Sequence, residues 1–237
     1  MLDVVVRESV GQSLFPYLTV IDQVGCDLRK AVADGWPAEN AIGFELRQGR
    51  GIRETNSFLT DLYTAFWDYG HELFRSTPET FPAGFIAGDI FDAAMLTPRA
   101  PFYASDNPRL DPRPDLKCLT SLNPLRGHVS AICASSFFHL FDEAEQREIA
   151  HRFGSLLSPV PGSTIFGANG GALVKGTRSI VLNGVQRHMF CHSPDSWEEL
   201  WDGEIFEKGT VKVEAEAIPV ERGGEIFHWI RWSITRL

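Results

Sequence analysis

Residues 128–171 read HVSAICASS-FFHLF-DEAEQREIAHRFGSLLSPVP-GSTIFGANGG, a strand–helix–strand pattern on which the fold class turns. HVSAICASS is a short apolar run without strict alternation, as expected of a strand buried on both faces. Asp142 and Glu145 then match a capping-box pattern. The helix they open carries Ile149, Phe153, Leu156 and Leu157 on its apolar face, and Ser158-Pro159 stops it. GSTIFGANGG is a second buried strand, followed by the glycine-rich GANGGA (167–172).

The same rhythm extends outward. Toward the N-terminus, YLTVIDQ (17–23), NAIGFEL (40–46) and GFIAGDIF (84–91) have strand length. Asp27 caps a short helix, LRKAVAD (28–34), that Gly35 closes. DLYTAFWDYGHELFRS (61–76) places Leu62, Phe66, Tyr69 and Leu73 at helical spacing. Toward the C-terminus, Ser193 caps and Pro194 opens a helix through Trp197, Leu200 and Trp201. In VKVEAEAI (211–218) and HWIRWSITRL (228–237) apolar and polar residues alternate, which predicts half-exposed antiparallel strands. Helices alternating with buried strands, then a hairpin, predict one α/β sandwich domain over 1–237 with a mixed sheet. Residues 97–127 hold six prolines and are expected to be a long loop with one helical turn. Residues 172–187 are likewise expected as a loop, a substrate wall or lid.

Composition narrows the class. The 237 residues are 43% hydrophobic and 22% charged, which is ordinary for a chain able to build a full core. With 22 Lys+Arg against 31 Asp+Glu the net charge is −9, and no basic run exceeds two residues, which argues against nucleic acid as a partner. No stretch has the roughly 18 apolar residues of a membrane span. The N-terminus lacks a signal-peptide pattern, and four scattered cysteines without a CxxC pair suit a reducing cytoplasm.

In an open α/β sheet ligands gather at the carboxyl ends of the strands. That rule singles out Gly25 after YLTVIDQ, Glu45 in GFEL, Asp89 in AGDIF, the ASSFFHLF segment, and GANGGA. His139 can act as a general base if it reaches an acceptor oxygen. His188, Cys191 and His192 form a short nitrogen and sulfur cluster without an evident fourth ligand, so His192 reads better as an acceptor-pocket wall than as a metal ligand. Neither the phosphate loop, the dinucleotide fingerprint nor the G-x-S-x-G elbow is present.

The order GFEL, AFWDYGHELF, FIAGDIFD, ASSFFHLFDEAEQ, LLSPVPGSTIFGANGG and MFCHSPDSWEELWDGEIF, closed by the hairpin, resembles the class I S-adenosylmethionine-dependent methyltransferases of the fungal secondary-metabolite type. The resemblance implies a Rossmann-like mixed sheet of seven strands and S-adenosyl-L-methionine as cofactor. It implies that Glu45 holds the ribose hydroxyls, Asp89 and Ile90 the adenine ring, and Ala134 and Ser135 the sulfonium side. The acceptor implied is a hydrophobic small molecule, methylated on a carboxylate or hydroxyl, with Phe137, Phe138, Trp197 and Trp201 shaping its pocket. His139 or His192 would serve a hydroxyl. Two departures stand out. The family's glycine turn, of the form LDxGCCxGQDLRKL, reads VIDQVGCDLRKAV here with Gly25 surviving, and GRGIRETNSFLTDLYT (49–64) looks like an insertion. The degraded turn favours a second reading, a catalytically silent binding protein on the same fold.

Overall fold

The structure is a computed structural model and describes residues 18–21, 57–62, 64–81, 83–106, 114–182, 185–222 and 224–237. In chain order the named elements are β1 (Leu18–Ile21), β2 (Ser57–Asp61), α1 (Thr64–Phe74), β3 (Gly84–Ala87), β4 (Ala131–Ala134), α2 (Glu143–Leu156), β5 (Thr164–Gly171), β6 (Gly176–Leu182), β7 (Val185–Cys191), α3 (Pro194–Trp201), β8 (Val211–Arg222) and β9 (Glu225–Arg236).

The strand–helix–strand unit forms as its sequence predicts. Every residue of β4 and of β5 is buried, and the two pair in parallel with Ala131 opposite Thr164. Between them α2 starts at a complete capping box. Asp142 accepts from the Glu145 N–H at 2.9 Å, and Glu145 accepts from the Asp142 N–H at 3.0 Å. Ile149, Ala150, Phe153 and Leu156 are its buried face. A second capping box, Ser193 with Ser196, opens α3.

The strands hydrogen-bond in the order β3-β2-β1-β4-β5-β9-β8. This is a mixed sheet closed by a C-terminal antiparallel hairpin: β9 is antiparallel to β5 and to β8. The alternation in β9 buries Ile230, Trp232 and Ile234 and leaves Arg231 and Thr235 partly exposed. Under this half lies one apolar core, centred on Phe138. Its ring meets Trp197 edge-on at 5.0 Å, Phe153 at 5.6 Å and Trp232 at 5.7 Å. Such geometry adds about 0.5–1.5 kcal/mol per pair beyond area burial. A separate small cluster joins Phe81, Trp67 and Phe85.

Several expectations need correction. β1 runs antiparallel to both β2 and β4, so this part of the sheet is not uniformly parallel. Residues 57–61, expected as part of an inserted stretch, supply the strand between β1 and β3, and Leu62 is exposed ahead of α1 rather than on it. GSTIFGANGG is a strand as read, and GANGG is the end of β5 rather than a ligand segment that follows it. Its glycines permit close packing: a Cβ on Gly167 would stand 2.2 Å from the Ala134 carbonyl oxygen, and one on Gly171 would stand 2.9 Å from Ile230 Cβ. Residues 172–187 are not a loop either, because Gly176–Leu182 and Val185–Cys191 pair as an antiparallel hairpin. Within 97–127 the described residues make three short 3-10 turns, not one. The predicted LRKAVAD helix and NAIGFEL strand lie outside the described residues. Among the described residues no helix is long and apolar enough to cross a membrane.

Candidate functional site

Strand direction decides which predicted residues share an edge. β2 is parallel to β3, β4 is parallel to β5, and β1 is antiparallel to both β2 and β4. The carboxyl ends of β2, β3, β4 and β5 therefore leave one edge of the sheet. Asp61, the Gly88-Asp89 turn and the Ala134–Phe141 segment meet there. β1 leaves the opposite edge, since Leu18 pairs with Ala134 and Ile21 with Ala131. Gly25 and Glu45 lie outside the described residues.

The turn after β3 is organised by its own carboxylates. Asp89 is exposed and accepts the Phe91 N–H at 2.9 Å, while Asp92 accepts the Ala94 N–H at 2.8 Å. Ile90 is half-buried against the main core. On the neighbouring strand Asp61 is buried, and its carbonyl accepts the Gly88 N–H at 2.9 Å.

The turn after β4 is built differently. Ala134 is fully buried, and Ser136 takes a left-handed backbone with φ of 54° while its N–H donates to the Ala168 carbonyl at 2.7 Å. A non-glycine residue in that region is strained, and such strain gathers at functional turns. Ser135 is partly exposed beside it, with Oγ 3.8 Å from Cys133 Sγ. Phe137 and Phe138 descend into the core.

His139 follows on a short 3-10 turn. Its Nδ1 accepts the Gly170 N–H at 3.2 Å, and a backbone N–H can only donate, so the proton of the neutral ring sits on Nε2. Burial pushes this imidazole down to about 4. Its ring stands edge-on to Trp229 at 5.8 Å. The β6–β7 hairpin comes down at the same point: Met189 Sδ lies 3.1 Å, and its Cε 3.0 Å, from where a Gly170 Cβ would be. Gly170 and Trp229 thus touch His139, with Met189 packed on Gly170; the GANGGA run pointed to Gly170, whereas sequence reading missed Met189 and Trp229. The available signal was Asn183-Gly184 between IVL and VQR, the dipeptide that favours two-residue hairpins.

His192 sits apart, at the start of α3. It is 4% exposed, with Nδ1 2.9 Å from Ser196 Oγ and Nε2 without a hydrogen-bond partner among the described residues. Burial first, then the charges of Lys175 and Arg147, push its pKa down to about 4 against the opposing pull of Glu143. Trp197 and Trp201 have no exposed surface and belong to the core under β9. His188 is exposed on β7 with Nδ1 3.2 Å from Ser179 Oγ. Among the described residues no group of three or more His, Cys, Asp or Glu is arranged to hold a metal ion.

No family profile matches the chain. Its sequence is similar to fungal methyltransferases. It is 31% identical to O-methyltransferase phiE of a fungal species over 187 residues, 79% of this chain and 48% of that protein. It is 29% identical to O-methyltransferase atr3 of Stereocaulon alpinum over 86% of this chain and 47% of that protein. It is 28% identical to methyltransferase ausD of Aspergillus calidoustus over 68% of this chain and 50% of that protein. The chain spans about half the length of the curated relatives it matches.

Proposed function

We propose, for this sequence relative of fungal secondary-metabolite methyltransferases, that it methylates an oxygen of a hydrophobic small molecule with S-adenosyl-L-methionine, on a Rossmann-like sheet of seven strands. The observation that carries the proposal is the shared edge. An exposed Asp89 turn after β3 and a strained Ser136 turn after β4 leave the sheet side by side, the second carrying His139 against Gly170 and Met189.

The residues of this edge fit the cofactor's adenine end. Asp89 has committed one carboxylate oxygen to the Phe91 N–H, and the other would accept from an exocyclic amine, while half-buried Ile90 would offer apolar surface to the ring. Ala134 and Ser135 border the sulfonium side, and Glu45 and Gly25 would hold the ribose and the amino-acid end. When bound, the cofactor supplies a methyl group on a positive sulfur, ready for displacement by an oxygen nucleophile. The chain's part is to align the acceptor and keep water out.

Within the O-methyl reading, the histidines favour a carboxylate acceptor over a hydroxyl. A general base works best with a pKa near the operating pH, and His139 and His192 are both held near 4. A carboxylate arrives already ionised. His139 with Trp229 then forms the acceptor side and Phe137 and Phe138 carry the turn from below, whereas Trp197 and Trp201, fully buried, belong to the core behind Phe138 and not to the pocket wall.

A second reading, a silent binding protein on the same fold, is favoured by the VIDQVGCDLRK departure and by β1 leaving the opposite edge from Asp89. Calorimetric titration of the full chain with S-adenosylhomocysteine, repeated on Asp89→Ala, separates the two. Micromolar binding that Asp89→Ala abolishes, with methyl transfer to carboxylic acids but not to matched alcohols, supports the enzyme. Binding without turnover across the acceptor panel supports the silent relative, and a folded parent that binds nothing sinks the cofactor reading.

A further inference from the structure

The turn from Gly88 to Thr97 has no regular secondary structure, yet four of its carbonyls are held by side chains from elsewhere. Asn123 donates Nδ2 to the carbonyls of Ala93 at 3.3 Å and Ala94 at 3.1 Å, and its Oδ1 accepts the Thr97 N–H at 2.9 Å. From the middle of α2, Arg152 donates Nη2 to the Phe91 carbonyl at 3.0 Å and Nη1 to the Leu96 carbonyl. From beneath, Met95 is packed so closely that a Cβ on Gly88 would meet its Sδ at 2.9 Å.

Arg152 is the unusual member. It is 3% exposed, and its ionic partner Glu148, at 3.1 Å from Nε and 2.5 Å from Nη2, is itself open to solvent. Burying a guanidinium costs several kcal/mol before compensation, and an apolar side chain of similar length would pack α2 on the turn with no such cost. What an apolar side chain cannot do is grip two carbonyls at set positions with a planar fork. Phe91 makes that grip consequential. Its carbonyl accepts from Arg152 while its N–H donates to the Asp89 carboxylate, so a single residue links the buried cation to Asp89. The helix that carries Arg152 begins directly after the His139 turn, so the same element references both turns of the site.

We propose that Arg152 is a positioning residue: through Phe91 it sets the orientation of the Asp89 carboxylate, and with it the discrimination of a 6-amino purine from a 6-oxo purine. The proposal rests on the reading of Asp89 and Ile90 as the adenine-holding turn.

The test compares the parent full-length chain with Arg152→Lys and Arg152→Met, titrating each calorimetrically with S-adenosylhomocysteine and S-inosylhomocysteine. The parent is expected to prefer the adenosyl compound by about tenfold, the worth of one hydrogen bond. Arg152→Met should lose most of that preference by weakening the adenosyl compound while leaving the inosyl compound near its parent value. Arg152→Lys, which reaches one carbonyl but not two, should fall between, and it carries the test if the methionine variant does not fold. Equal weakening of both compounds marks a merely structural arginine and overturns the proposal. So does a folded variant that keeps the parent's ratio. A parent that binds neither compound overturns the adenine reading together with this one, whereas binding with an unaltered ratio in the variants overturns this one alone.

Discussion

The turns after β3 and β4 leave the same edge of the sheet and are held by opposite means. The first is polar: carboxylates cap its own N–H groups, and Arg152 and Asn123 hold its carbonyls, while Asp92, Ala93 and Ala94 stay exposed. The second is apolar and strained. Phe137 and Phe138 pin it into the core, Ser136 bears a left-handed backbone, and β5 approaches so closely that residue 167 has room only for glycine. Stability and recognition separate between the two turns. Polar anchors on a surface turn can be cut with the core intact, but the ring that anchors the other turn is the core.

Phe138→Ala is the severest way to break that contrast. It removes a side chain packed against five other rings, and should cost about 3–5 kcal/mol in a denaturant titration. A loss below about 1 kcal/mol would mean the second turn is no more tied to the core than the first.

Acidification separates the two turns through their histidines: His139 lies in the second, His192 stands apart at the start of α3, and the first turn has none. His139 and His192 have folded pKa values near 4 against an ordinary 6.5, so between these limits the unfolded chain binds more protons. Their contribution is fully present above about pH 6.5 and falls away as the pH drops toward 4. In the upper part of this window, above the ordinary carboxylate range, amide exchange at residues 136–141 should rise while exchange at 89–96 holds steady, and His192→Asn should flatten part of the global decline. An equal rise in both turns would erase the distinction.

Asn123→Ala should cost about 1–2 kcal/mol, from orphaned backbone groups on a partly exposed turn. Faster exchange confined to 93–97, with β4 and β5 still protected, is the expected pattern. The smallest effect belongs to Ser136→Gly. Relief of the left-handed strain and the added freedom of the unfolded chain nearly cancel, leaving a change within about 1 kcal/mol in thermal midpoint measurements.

Local signals were legible wherever a single rule governed them. Asp142 with Glu145 announced α2, Ser193-Pro194 announced α3, and alternation announced β8 and β9. Where two rules competed the reading failed. GANGG has the composition of a ligand loop as well as the place of a strand end, and the strand reading holds: its glycines are there because Ala134, Met189 and Ile230 come too close for side chains. TRSIVLNGVQRHM has strand chemistry and a hairpin dipeptide, yet its place between a strand and a helix suggested a connecting loop. Of the site, Asp89 and the His139 turn were visible because they close strands, and Asn183-Gly184 marked the hairpin that carries Met189, whereas nothing along the chain ties Trp229 or Arg152 to the site.

Local periodicity and capping dictate one set of elements: a buried strand, a capped helix, a second buried strand, and a final alternating pair. Tertiary structure decided the rest. The direction of β1, the identity of the strand beside it, the neutral state of His139 and the grip of Arg152 on Phe91 each depend on groups far apart in the chain. Backbone pairing and burial are long-range. A histidine's proton and an arginine's partner are set by whatever backbone the fold delivers to them, and no spacing along the chain encodes that.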